Sequence, residues 1–382
     1  KAGYIWNCWT NWPDNTLLFR EGDPDDGREE YIFLDYLMEH IRGTTEPRDI
    51  DGDRDEDWTT YLTECGISAD LQSRIMHPRF TYLRRTESYL YWIRDTFQMR
   101  YGGLELIQMT SHEREMQLIP AASRPGGSEG RGGRRSQSSV TAVSGIQQQR
   151  QPGNSNNLNV WGSAQIATTI NTPYCVTLFK CLDQRRAKEL LTDDGTLHSL
   201  GAPLLSNPPS DCSDTSMKFY FTPNIKVAEY YASYAKTRID VHSVVMAVVQ
   251  IPNSAINTMP PNDVQRLFWP SDDWKEFVWH NRRNEDIIPS RLEKYADALL
   301  LIRHTSKKPN IAWKRIESPR HVDESCVLRI GEDGRVNTGP PALQWVFNGN
   351  GRGRTWLRQN ISSIMVVPYP QAELDAYVAI WE

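Results

Sequence analysis

Four tyrosines, Tyr220, Tyr230, Tyr231 and Tyr234, crowd around one change of period in the stretch MKFYFTPNIKVAEYYASYAK, residues 217–236. MKFYF alternates as a half-buried strand does, Thr222-Pro223-Asn224 breaks it, and Val227, Ala228, Tyr231 and Ala235 then recur at helical spacing. A tyrosine ring offers an apolar face with a negative quadrupole and one hydroxyl, so two facing rings can sandwich a flat, positively charged ring. With Tyr220 at the end of a strand and Tyr231 on the helix that follows, the turn between them would bring both side chains over it. The competing reading is ordinary core, with every ring packed inside.

Such a turn needs a scaffold, and the flanking sequence supplies one. CVTLFKCLD (175–183) reads as a strand and RRAKELLTDDG (185–195) as a helix closed by its glycine. SVVMAVVQIP (243–252) and ADALLLIRH (296–304) are apolar runs of buried strands, and VLRIGEDGRV (327–336) carries the Asp-Gly of a tight turn. NGNGRGR (348–354) reads as an exposed hairpin loop. Strands and helices alternating in this way predict a mixed α+β domain over 158–382. Ahead of it, 120–157 is rich in Gly, Ser, Gln and Arg with almost nothing to bury, which predicts a disordered linker. Residues 1–119 have mostly helical patterning: a helix over 28–42 stopped by Gly43, and a second over 81–100 ended by Gly102-Gly103. Trp6, Trp9, Trp12 and Trp58 suggest that this region buries something, either as a separate module or against the C-terminal domain.

The run KFYFTPNIKVAEYY resembles the second core strand and following helix of the ADP-ribosyltransferase fold, whose poly-ADP-ribose polymerase branch has a Gly-Ile-Tyr-Phe-Ala strand and then a helix with a second tyrosine. The resemblance covers roughly 172–375, extends to uncharacterised fungal ADP-ribosyltransferase-like proteins through WKEFVW and the apolar strand after it, and implies a split β-sheet core. It puts Tyr220 and Tyr231 on the pair that cradles the nicotinamide of NAD, and Thr222 on a Ser or Thr that caps the turn in toxin-like members. VTLFKC resembles the first core strand, which places Lys180 where the family has the Arg or His that holds ribose or phosphate. Lysine meets a phosphate as a point charge, without the planar fork of Arg or the acceptor nitrogen of His. The acid that would stabilise an oxocarbenium-like state is Glu276, because EFVWH resembles a Glu-Tyr-Ile-Val-Tyr strand, with Glu285 and Asp286 as reserves. A helix burying Trp274, Phe277 and Val278 and leaving Glu276 in solvent is the alternative.

The resemblance thus implies NAD as substrate, with ADP-ribose passed to a protein acceptor or to water. The alternative is a fold kept for binding or scaffolding with its chemistry lost. A third possibility is RNA association through GRGGRR in the linker. A net charge of −5, with roughly ten excess acids over 1–115 and about four excess bases over 116–155, gives no basic face for nucleic acid elsewhere. The six cysteines lie far apart and read as reduced, buried thiols. The histidines are scattered, EPRDIDGDRDED lacks the glycine and closing glutamate of a calcium loop, and neither a Gly-x-Ser-x-Gly elbow nor a phosphate loop is present. No run reaches the ~18 apolar residues of a membrane helix, so cytoplasm or nucleus is the default expectation, and the start at Lys1 leaves room for a leader already removed.

Overall fold

The computed structural model describes residues 41, 54–118, 166, 169–192, 195–206, 211–212, 216–239, 244–283, 288–308 and 310–380. The linker at 120–157, Glu285, Asp286, Trp6, Trp9, Trp12 and Cys8 lie outside them. So does the helix expected over 28–42, except Ile41, which is helical and buried. The EPRDIDGDRDED stretch is described only from Arg54 on, where it opens a helix.

The N-terminal part is helical. Helix α1 (Asp55–Glu64) buries Trp58, Tyr61 and Leu62, and α2 (Ala69–Ile75) begins where Ser68 Oγ accepts from Leu71 N at 3.3 Å. A helical turn at Thr81–Arg84 follows, and α3 runs over Tyr89–Leu118. The expected stop at Gly102-Gly103 is therefore wrong. Glycine inside a helix costs up to about 1 kcal/mol against alanine. Here a neighbour sets the residue: a Cβ on Gly102 would stand 2.8 Å from Arg185 Cδ, so the missing side chain lets the chain at 185 pack close.

The C-terminal part is mixed α+β. In chain order it holds β1 (Cys175–Asp183), β2 (Leu205–Ser206), β3 (Lys218–Phe221), α4 (Ile225–Arg238), β4 (Val244–Pro252) and β5 (Val264–Leu267). Next come α5 (Asp272–Arg283), β6 (Leu300–His304), β7 (Arg329–Ile330), β8 (Val336–Pro341) and β9 (Leu343–Asn348), then α6 (Gly351–Asn360), β10 (Ser363–Tyr369) and α7 (Gln371–Ala379). The strands form two main sheets, β1-β4-β10 and β2-β3-β9-β6-β5, with a small β7-β8 hairpin around the Asp-Gly turn. Central β4 is apolar but for Gln250, whose Nε2 donates to Thr169 O at 2.8 Å, because both faces are covered. Val245, Ala247, Val249 and Ile251 enter one core cluster, and Val244, Met246 and Val248 another.

Two expectations fail here for local reasons. The helix expected over 185–195 stops at Lys188, and Gly195, with φ of 82°, belongs to a turn closed by Gly195 N donating to Thr192 O at 2.8 Å. NGNGRGR is the end of β9 and the start of α6, where Asn350 Oδ1 caps Gly353 N at 3.0 Å. A Cβ on Gly353 would lie 2.0 Å from Asn348 O, a backbone atom that cannot swing away. Gly353→Ala should therefore cost about 2–4 kcal/mol, which a urea titration would read; a loss below about 0.5 kcal/mol would refute the contact.

One core cluster spans both parts of the chain: Trp58, Leu62, Phe80 and Tyr89 pack with Tyr230, Tyr234, Leu328 and Tyr377. The N-terminal helices accordingly pack against the α+β part. No helix among the described residues is long and apolar enough to cross a membrane.

Candidate cleft at the split between the sheets

The two main sheets meet just beyond β3. Phe179 N of β1 donates to Thr222 O at 2.8 Å, and Thr222 N returns a bond to Phe179 O at 3.0 Å. Thr222 is buried; its Oγ1 donates to Leu343 O at 2.9 Å and accepts from Asn224 N at 3.1 Å. Asn224 Oδ1 then accepts from Lys226 N at 2.9 Å and starts α4. The Thr-Pro-Asn break thus clasps three strands and launches a helix.

A cleft of about 280 Å³ opens at this junction, and Lys180, Tyr220, Thr222 and Tyr231 all line it. Alternation along β3 sends Phe219 and Phe221 into the core beneath and leaves Tyr220, half-buried, on the other face. Tyr231 is half-buried on α4, while its neighbours Tyr230 and Tyr234 are fully buried. Those two rings bind the helical part, and Tyr234 lines the cleft as well. Tyr230 Oη accepts from Leu83 N at 3.0 Å, and Tyr234 Oη donates to Ile75 O at 3.1 Å. Tyr220, Tyr231 and Tyr234 line the cleft, and Tyr230 and Tyr234 hold the N-terminal helices.

The cleft's cations differ in their surroundings. Lys180 Nζ donates to Ser206 Oγ at 2.9 Å and to Tyr220 O at 3.4 Å, both neutral oxygens. Burial, and then the charge of Arg186, pushes its ammonium down to about 7. Arg238 is buried between α3 and α4, paired with Asp95 at 2.7 Å, donating to Thr96 Oγ1 at 2.8 Å and stacked over Trp92 and Tyr234. Arg282 of α5 and Arg303 of β6 share the carboxylate of Asp211, and Arg282 also reaches Thr86 O at 2.9 Å and Glu87 Oε1 at 3.4 Å. Burial pushes the Asp211 carboxyl up, but the two guanidinium groups and Ser306 outweigh it and hold it at about 2.

Glu276 does not belong to this cleft. WKEFVW lies on α5, with Trp274, Phe277 and Val278 buried, and Glu276 pairs with Arg291. The strand expected from EFVWH is wrong because the apolar residues there follow helical spacing. Among the described residues, each of the four carboxylates lining the cleft has a partner: Asp211 and Glu87 with Arg282, Asp95 with Arg238, and Asp183, whose Oδ1 caps Arg186 N at 2.9 Å. Reading the sequence missed the wall built by α3 (Tyr91, Trp92, Asp95, Met99), and it missed Gln344 of β9, whose Oε1 accepts from Arg303. Nothing in the sequence pairs that helix with α4.

Among the described residues no group of His, Cys, Asp and Glu could hold a metal ion. The described cysteines are free; Cys65, Cys212 and Cys326 are buried, Cys175 and Cys181 half-buried. Burial pushes the Cys181 thiol up to about 12, so it lines the cleft as a neutral group. No family model, curated protein or solved structure matches this chain.

Proposed function

We propose that the cleft binds NAD, or a related ADP-ribose compound, in an ADP-ribosyltransferase-like fold, and holds it without breaking the glycosidic bond. The observation that carries this reading is the convergence of Lys180, Tyr220 and Tyr231, from β1, β3 and α4, on one cleft. The junction of the two sheets at Phe179 and Thr222 supports it, since a strand, turn and helix at such a junction set two phenol rings around an opening. Tyr220 and Tyr231 take the flat cationic ring, and Lys180 takes a phosphate or ribose oxygen.

Among the described residues, the acids favour binding without cleavage. An oxocarbenium-like state needs a carboxylate free to face it. The cleft's carboxylates are tied to cations or a helix start, β9 contributes the neutral amide of Gln344, and Glu276 is engaged on α5. Incubation with NAD should release no nicotinamide above the buffer rate, even though NAD binds. Release that is lost in Glu87→Gln would instead identify a transferase or glycohydrolase with Glu87 as its acid.

Lys180 gives the binding a pH signature. A phosphate beside it raises its pKa, so above pH 7 the complex takes up a proton on forming. NAD affinity is expected to be flat below pH 7 and to fall by up to about tenfold per unit above it. Lys180→Met should bind more weakly and lose that slope. An unchanged slope in Lys180→Met would exclude Lys180 as the phosphate contact.

A further inference from the structure

A second cavity, of about 670 Å³, lies on the other side of the turn that leads into α3. Leu83, Thr86 and Glu87 line the first cleft, whereas Tyr82 and Arg85 line the second; Thr305 and Ser306 line the first, Lys307 and Lys308 the second. Among the described residues its charged lining consists of Arg85, Lys307, Lys308 and Arg329 against one carboxylate, Glu324. Such an excess of like charge in one concavity is costly for folding unless an anion answers it.

The acids nearby leave much of that excess standing. Glu324 pairs with Arg329 at 2.7 Å, and Asp55, outside the cavity, takes Arg85 at 3.0 Å but shares itself with Arg84. Asp323 reaches Lys308 only at 4.0 Å. Lys307 is buried, donates to Asn337 Oδ1 at 2.5 Å and sits over the Tyr82 ring, while Lys308 Nζ donates to Ser325 Oγ at 2.5 Å; these partners are neutral. The Nε atoms of Arg85 and Arg329 are buried with no acceptor among the described residues.

The backbone adds an independent sign. Three non-glycine residues among the described ones hold a positive φ, and two of them, Lys308 at 85° and Asn337 at 63°, line this cavity. Lysine rarely holds its backbone in that region, though asparagine enters it more readily, and such backbone gathers at sites that grip ligands.

We infer that this second cavity is a binding site for a small anion carrying at least two linked phosphate groups, held by Arg85, Lys307, Lys308 and Arg329. Its volume is that of a nucleotide-sized ligand, and its cations come from three segments that a diphosphate bridges where a single phosphate does not.

The test is calorimetric titration of the full chain with sodium pyrophosphate and, separately, with ADP. Pyrophosphate should bind, and Lys308→Gln combined with Arg329→Gln should weaken it by about tenfold or more, with folding checked by circular dichroism. Glu324→Gln should tighten it by about threefold, a gain that damage to the fold does not produce. ADP binding as tightly as pyrophosphate makes a nucleotide the carrier; ADP binding more weakly makes it the free anion; either supports the site. No pyrophosphate binding to wild type, or equal binding by the double variant, overturns it. Binding that disappears in Tyr220→Ala but survives the double variant assigns the anion to the first cleft and also overturns it.

Discussion

Asp211→Asn is expected to lose about 3–5 kcal/mol of folding free energy, the usual cost of breaking a buried ion pair from one side. The Asp211 side chain is 7% exposed, that of Arg282 4% and that of Arg303 0%, so the amide would leave two guanidinium groups facing each other out of water. Arg303 would keep Gln344, and Arg282 would keep Thr86 and Glu87, but neither set of bonds cancels the second positive charge. The sign of the pH dependence is fixed as well. The folded carboxyl sits at about 2 against its ordinary 3.8, so its contribution is complete above 3.8 and is lost as pH falls through 2. Urea titrations of wild type and variant at pH 7 measure the loss. A difference under about 1 kcal/mol would mean that Asp211 does not balance both arginines.

Tyr230→Ala is expected to cost about 3–5 kcal/mol and to loosen the wall of the cleft. The Tyr230 ring is wholly buried, stacks on Phe80 and accepts a bond from Leu83 N, so alanine leaves both a cavity and an orphaned amide. Tyr230→Phe keeps the packing and loses only the bond, at about 1–2 kcal/mol. The larger loss has a local consequence, because the contact ties the 81–84 turn to α4 immediately before α3 crosses the cleft. Hydrogen exchange at 89–99 should accelerate in Tyr230→Ala more than exchange in β4 does. Equal acceleration in both places would show that the helices and the sheets unfold as one unit, with no separable wall.

What was legible in the sequence was what short-range periodicity records. The apolar run of β4 up to Gln250, the alternation of KFYF, the Thr-Pro-Asn break and the Asp-Gly turn between β7 and β8 each follow from spacing within a few residues. Tyr220, Thr222 and Tyr231 came together because one strand, one turn and one helix set them, whereas Lys180 joins them from β1 through the Phe179–Thr222 bridge. Long-range neighbours decided the rest. Gly102 reads as a helix stop until Arg185 is known to lie against it, and Gly353 as a loop glycine until Asn348 O is found where its side chain would be. Glu276 fits a strand by resemblance and a helix by periodicity, and burial of Trp274, Phe277 and Val278 favoured the helix. The Asp211 cluster joins four segments far apart in the chain, so no local pattern announces it.

The most direct test of the cleft is calorimetric titration of the full chain with NAD, beside Tyr220→Ala and Tyr231→Ala. The expected result is measurable binding by wild type and a loss of about tenfold or more in each variant, in line with about 1–2 kcal/mol for a desolvated cation over an aromatic face. Absence of heat with wild type at millimolar NAD, or equal affinity in all three proteins, would contradict the reading of Tyr220 and Tyr231 as the walls of a ligand site.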